Sequence, residues 1–150
     1  GIVGTIQANE ILKKILNIGK NLNEFIVDGS DNFNTKFLIN DFALKFKKFL
    51  TVGAISKFDG HIFTYNFKDK KLPCLRCFFQ EKNISNEILN CEHEGVLGTV
   101  AGIVGTLQAN EVLKQILDIG KSLNGEILIV DLLNLSFRKA KINKRKNCIC

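Results

Sequence analysis

Residues 1–23 and 102–124 are one segment written twice, GIVGTIQANEILKKILNIGKNLN and GIVGTLQANEVLKQILDIGKSLN, identical at 18 of 23 aligned positions. Chance gives roughly one or two identities over such a length, so the copies share an origin, and any fold must accommodate the same local structure in both. In the first copy Ile11, Leu12, Ile15 and Leu16 fall on one helical face, Glu10 and Lys14 pair four apart outside it, and Gly19 is placed to end the turn. That is an amphipathic helix. A solenoid needs at least three units with a period of roughly 20 to 50 residues, whereas this offset is 101 with unlike sequence between. Each copy runs on into IVD, at 26–28 and 129–131. We read residues 1–24 as a duplicate of 102–125, joined to an earlier strand by unequal recombination at that short match. A neighbouring upstream reading frame that continues smoothly into Phe25 would rule this out.

Periodicity sets the remaining elements. Phe25–Asp28 reads as a short strand, followed by a turn in which Asp31 or Asn32 caps a helix with Leu38, Phe42, Phe46 and Phe49 on its apolar side. LTVGAI reads as a buried strand, and 61–67 as a half-exposed one that alternates Phe63, Tyr65 and Phe67 with Thr64 and Asn66. Beyond a cysteine-bearing connection come a helix over 99–119, a buried strand EILIVD and an alternating strand LNLSFRKAKI. Strands separated by helices point to an α/β layered fold with a partly parallel sheet.

Composition narrows the partners. The formal charge is +6, yet only Arg76, Arg138 and Arg145 among 21 basic residues are arginine, and Lys, Asn, Ile and Phe crowd the chain as A- and T-rich codons would dictate. The one dense basic run, KAKINKRKN at 139–147, lacks aromatic interleaving and arginine forks, so it reads as a solvated tail and no nucleic-acid partner is expected. The longest uncharged stretch, 95–110, is interrupted by four glycines and falls short of the roughly 20 residues of a spanning helix. No membrane partner is expected, and with no secretory leader legible the expected location is cytoplasmic.

Five cysteines carry the sharpest chemistry. PCLRC places Cys74 and Cys77 in a CxxC, and NCIC brings Cys148 and Cys150 as a CxC. Two close thiolate pairs distant in sequence suit one tetrahedral zinc, since each pair needs only local geometry while the ion joins the segments. Two other readings stay open: unliganded thiols, and disulfides, which an odd count and a reducing compartment disfavour.

IVDGSDNFNTKFLIND, LTVGAISKFDGHIFTYNF, PCLRCFF, CEHEGVLGTVAGIVGTLQANEVLK and the final NLSFRKAKI…NCIC, in that order, resemble the ThiF/MoeB/HesA family of adenylyltransferases, bacterial relatives of ubiquitin-activating enzymes. The likeness covers 25–150 and implies the C-terminal portion of a ThiF/MoeB-type domain: an incomplete Rossmann-like mixed sheet with flanking helices and a zinc-binding site of four cysteines. It implies an activity as well. Members use ATP and Mg²⁺ to adenylylate the C-terminal glycine of a ubiquitin-like sulfur-carrier protein, in molybdopterin or thiamin biosynthesis. Homodimers, or association with an intact homologue, are the implied assemblies.

By the same resemblance Asp31 of DGSDN matches the aspartate that helps hold magnesium at the phosphates, with a plain helix cap as the rival reading. Lys36 stands where the family usually has Arg, exchanging a planar fork for a point charge. Cys91 of CEHEG matches a cysteine that takes part in acyl or persulfide transfer in some members, and its neighbour His93 is not paired with it by spacing alone. Cys74, Cys77, Cys148 and Cys150 match the zinc ligands, the last pair a residue shorter than the family's CxxC. The glycine-rich loop that cradles ATP is not written in these residues, because no two glycines lie two apart. Two functions follow as expectations: an adenylyltransferase completed by a loop from elsewhere, or a non-catalytic module that binds the carrier or an intact homologue.

Overall fold

A computed structural model describes residues 24–79 and 95–150. The first repeat, residues 1–23, and the segment holding Cys91 and His93 lie outside the described residues.

The chain enters at strand β1 (Phe25–Asp28) and crosses through helix α1 (Phe33–Lys45) to strand β2 (Phe49–Ser56). A turn leads to β3 (Asp59–Asn66), and the connection beyond it contains the single-turn helix α2 (Leu75–Phe78). The long helix α3 (Gly98–Leu117) then precedes the hairpin of β4 (Glu126–Asp131) and β5 (Ser136–Lys141). The five strands lie side by side in sequence order. Of these strands only β1 and β2 pair in parallel, with Phe25 opposite Phe49 and Asp28 opposite Val52; the other three pairings are antiparallel. The helical crossover of α1 is what a parallel pair requires, and tight turns can join antiparallel neighbours.

Asn32, not Asp31, caps α1: its Oδ1 accepts from the Thr35 amide at 2.8 Å. This satisfies one of the four orphan amides at a helix start. Asn32→Ala is expected to cost about 1 kcal/mol, read as a shift in urea midpoint at unchanged slope; an unchanged midpoint would refute the cap's contribution.

Helix α1 corrects the sequence reading of its apolar side. Leu38, Phe42 and Phe46 are 70%, 53% and 49% exposed, and Phe49 belongs to β2. The face turned to the sheet carries Lys36, Phe37, Asn40 and Ala43. Polar side chains are tolerated there because each has a partner, as described below.

The sheet is covered on both faces. On one, Phe37 and Ala43 of α1 pack with Leu50, Val52, Phe63, Tyr65, Leu75 and Ile127. On the other, Val100 and Val104 of α3 pack with Ile62 and Leu123. Strand β3 lies between these layers, so the half-exposed strand expected from its alternation is instead buried on both sides; Thr64 is wholly inaccessible. Two glycines admit α3 at close range. A Cβ on Gly60 would meet Val104 Cγ2 at 2.3 Å, and one on Gly53 would meet Gln108 Oε1 at 2.4 Å. Glu111, 4% exposed, accepts from the Leu123 amide at 2.9 Å and pairs with Lys114, fixing the turn that leads from α3 toward β4. Among the described residues no helix is long and apolar enough to cross a membrane.

Candidate functional site

Two regions concentrate the chemistry. The first lies on the α1 face of the sheet, where the connection after β3 meets the C-terminal segment. Cys74 precedes α2 and Cys77 sits within it, and the local turn is closed by the Cys77 amide donating to Cys74 O at 2.9 Å. Helix α2 is a single turn, too short to hold itself in water, and α1 supplies the support. Asn40 Oδ1, wholly buried, accepts from the Leu75 amide at 3.0 Å. Asp41 receives the Arg76 guanidinium in a fork, Nε to Oδ1 at 2.8 Å and Nη2 to Oδ2 at 2.7 Å. That fork holds the Asp41 carboxyl below the usual carboxylate range. Arg76 also lies 4.5 Å above the Phe37 ring. From the other side Arg145 Nη2 donates to Arg76 O at 2.5 Å, drawing the C-terminal segment onto the turn.

The result is a cluster of four sulfurs. Cys74 Sγ lies 3.5 Å from Cys148 Sγ, Cys77 Sγ lies 3.4 Å from Cys150 Sγ, and all four are within 4.8 Å of one another. With metal–sulfur bonds of about 2.3 Å, the edges of a ZnS₄ tetrahedron are about 3.8 Å long, so this donor set fits zinc. The CxC of Cys148 and Cys150, with one residue between its thiols, delivers both sulfurs to the cluster. None of the four cysteines is in a disulfide.

Protonation follows from crowding. Burial, the largest influence, pushes the Cys74 thiol far up, and pushes Cys150 up to about 11. Cys148 is also burdened by burial, but the Cys150 backbone and the neighbouring thiols hydrogen-bond to it and bring it down to about 7. A divalent cation replaces those protons and lets all four sulfurs carry charge together. Tyr65, one of the alternating aromatics of β3, is wholly buried beside the cluster, and its hydroxyl has no hydrogen-bond partner among the described residues. Burial first, then Cys74 and Cys77, raise it well above its ordinary value.

The second region is the carboxyl end of β1. Asp28 is 2% exposed; its Oδ1 accepts from the Ser30 amide at 2.8 Å, and its Oδ2 pairs with Lys36 Nζ at 3.3 Å. Lys36 Nζ also donates to Gly53 O at 2.8 Å. The Lys36 ammonium is thus under the sheet end, 5% exposed, with burial drawing it below its usual value against the pull of Asp28 and Asp31. Asp31 stands exposed at the head of the same loop, its Oδ1 taking the Asn32 side-chain amide at 3.2 Å. The two regions are separate: Asp31 and Lys36 are gathered at the strand end, the cysteines on the sheet face. Asp28, Asn40 and Asp41 were missed as site residues in the sequence. Their only legible signal was polarity at sheet-facing or helix-edge positions.

A three-layer α/β domain with an acidic loop at the end of its parallel strands and a cluster of four thiols able to hold a cation is the class that this geometry defines. The chain belongs to the ThiF family, whose sequence profile matches residues 22–150. It is 38% identical over 128 residues to the "Sulfur carrier protein adenylyltransferase" of Thermus thermophilus, covering 83% of this chain and 47% of that protein. To the "Adenylyltransferase and sulfurtransferase MOCS3" of Drosophila grimshawi it is 39% identical, covering 83% of this chain and 28% of that protein. The chain thus spans less than half the length of these relatives. Among solved structures, E. coli MccB with ATP superposes with a TM-score of 0.68 at 14% identity, over 84% of this chain and 38% of MccB, a likeness of fold.

Proposed function

We propose that this domain serves ATP-dependent adenylylation of the C-terminal glycine of a ubiquitin-like sulfur-carrier protein, with Asp31 facing the Mg²⁺ and phosphates. The observation that carries this reading is the family match over residues 22–150 together with the place of Asp31, outside the carboxyl end of a parallel strand, where open α/β sheets bind their ligands. Ser30 in the same loop has a buried hydroxyl without a partner among the described residues. The four cysteines hold one structural zinc in this reading, and it would tie α2 to the segment after β5. Cys91 is the residue proposed for acyl or persulfide transfer.

An apolar surface on which such a carrier could rest lies at the same end of the sheet. Phe58, Val96, Leu97, Leu133, Leu135 and Phe137 are 40% to 78% exposed around the β2–β3 and β4–β5 turns. From β4 to β1 is three strand spacings, about 14 Å. A carrier resting on this apolar ground would reach Asp31 with an extended tail of about four or five residues.

No two glycines in the 150 residues lie two apart, so the phosphate-cradling loop has to come from another segment or chain. This favours a second reading for the chain by itself, a module that binds the carrier or an intact homologue without turning over. Pyrophosphate exchange tests both. With MgATP and carrier, exchange is expected only when a polypeptide bearing a glycine-rich loop is present, and Asp31→Ala should lower it about a hundredfold. Exchange by the 150-residue chain alone would refute the binding-module reading. Failure in both settings, with no carrier binding, would sink the adenylylation reading.

A further inference from the structure

The end of β1 is fastened from two sides. On the α1 side the Asp28 carboxylate engages Lys36 and the Ser30 amide. On the α3 side Gln108, 4% exposed, donates its Nε2 to Asp28 O at 2.9 Å and to Thr51 O at 3.4 Å. One amide thus spans the last residue of β1 and the middle of β2. Gly53 makes this reach possible: a Cβ there would sit 2.4 Å from Gln108 Oε1 and 2.5 Å from its Cδ. Glycine at 53 and glutamine at 108 therefore form one device, a gap and the side chain that fills it. Three residues beyond Asp28, the chain has already left the sheet and carries Asp31 into solvent. A carboxylate on so short a loop takes its position from the strand end below it, and a misplacement of about 1 Å can cost about a hundredfold in rate.

We propose that Gln108 is the positioning residue for Asp31. By pinning the Asp28 carbonyl it sets the height and direction of the Gly29–Asp31 loop, while the Lys36–Asp28 pair holds the same residue from the opposite face. The inference rests on the reading of Asp31 as the carboxylate that meets the divalent cation.

Two substitutions perturb the device by different routes. Gln108→Met keeps the side chain's length and removes the donor; Gly53→Ala keeps the donor and pushes it off its acceptors. In the zinc-loaded full chain, amide hydrogen exchange at Ser30 should accelerate about tenfold or more in both variants, with β3 and β4 amides exchanging as in the wild type. With ATP and a polypeptide bearing the glycine-rich loop present, broadening of the Asp31 and Asn32 resonances by Mn²⁺, clear in the wild type, should weaken in both. Acceleration spread evenly over the sheet would show a merely structural role, and unchanged Ser30 exchange would show no fastening; either overturns the proposal. Absence of Mn²⁺ broadening in the wild type with ATP and a polypeptide bearing the glycine-rich loop present overturns the reading of Asp31 itself, whatever Ser30 does.

Discussion

Cys74→Ser is expected to abolish metal retention and to cost this chain most of its stability. Cys74 is wholly buried, and its sulfur is 3.5 Å from that of Cys148, more than seventy residues away in sequence. A structural zinc contributes about 10 to 16 kcal/mol in finger peptides, comparable with the roughly 5 to 15 kcal/mol net stability of a whole domain. The hydroxyl is a far poorer ligand than a thiolate, and the three remaining sulfurs would be left crowded without a shared cation. Metal content of the purified protein should fall from about one ion per chain to none, as a four-thiolate site dictates. The cooperative thermal transition followed by circular dichroism should disappear or move down by tens of degrees, since about 1 kcal/mol already shifts such a domain by several degrees. Chelation of the wild type should reproduce both effects. A chain that keeps its melting transition after the metal is stripped would show that the cluster is not structural.

Lys36→Met is expected to produce the next largest loss. The ammonium is 5% exposed and its partner Asp28 2% exposed, so truncation leaves a buried carboxylate with the Ser30 amide as its remaining donor. Breaking one side of a buried pair costs about 3 to 5 kcal/mol. Urea unfolding should show the midpoint falling accordingly. Adding Asp28→Asn to Lys36→Met should recover part of the loss, because the stranded charge is then removed. If the double variant is as unstable as the sum of the two single ones, the residues are not coupled and the pair contributes nothing of its own.

Long periodic segments and local chemistry were legible; sidedness was not. Helix α3 and strands β1, β2 and β4 fall where apolar pattern and breakers place them, and β2 buries a continuous run over 49–53. Strand β4 reads as buried in the sequence but buries only Ile127 and Val130, and β1 buries only Asp28. The inner face of α1 was misread since its packing is decided by tertiary partners: Asn40 is buried for the sake of the Leu75 amide, and Lys36 for Asp28 and Gly53. Hydrophobicity alone favoured Leu38 and Phe42, which face outward. Strand β3 was misread for a related reason. Thr64 looks like a solvent-facing residue in the sequence, yet α3 lies across that side of the sheet, and nothing near residue 64 announces a helix more than thirty residues later. Of the candidate site, the gathering of a CxxC with a distant CxC was legible from spacing, and the structure brings their four sulfurs within 4.8 Å of one another. The fastening at Asp28 was not, because its donors come from three different elements.

The sulfur cluster joins segments whose intervening chain includes α3 and the β4–β5 hairpin. Closing so large a loop before those elements exist would carry a heavy entropic toll, so a cation bound at these sulfurs would be better suited to arrive last, as a latch, than first, as a nucleus. Early folding would then rest on neighbouring strands zipping together, and a metal at the cluster would govern how long the finished domain survives more than how quickly it forms.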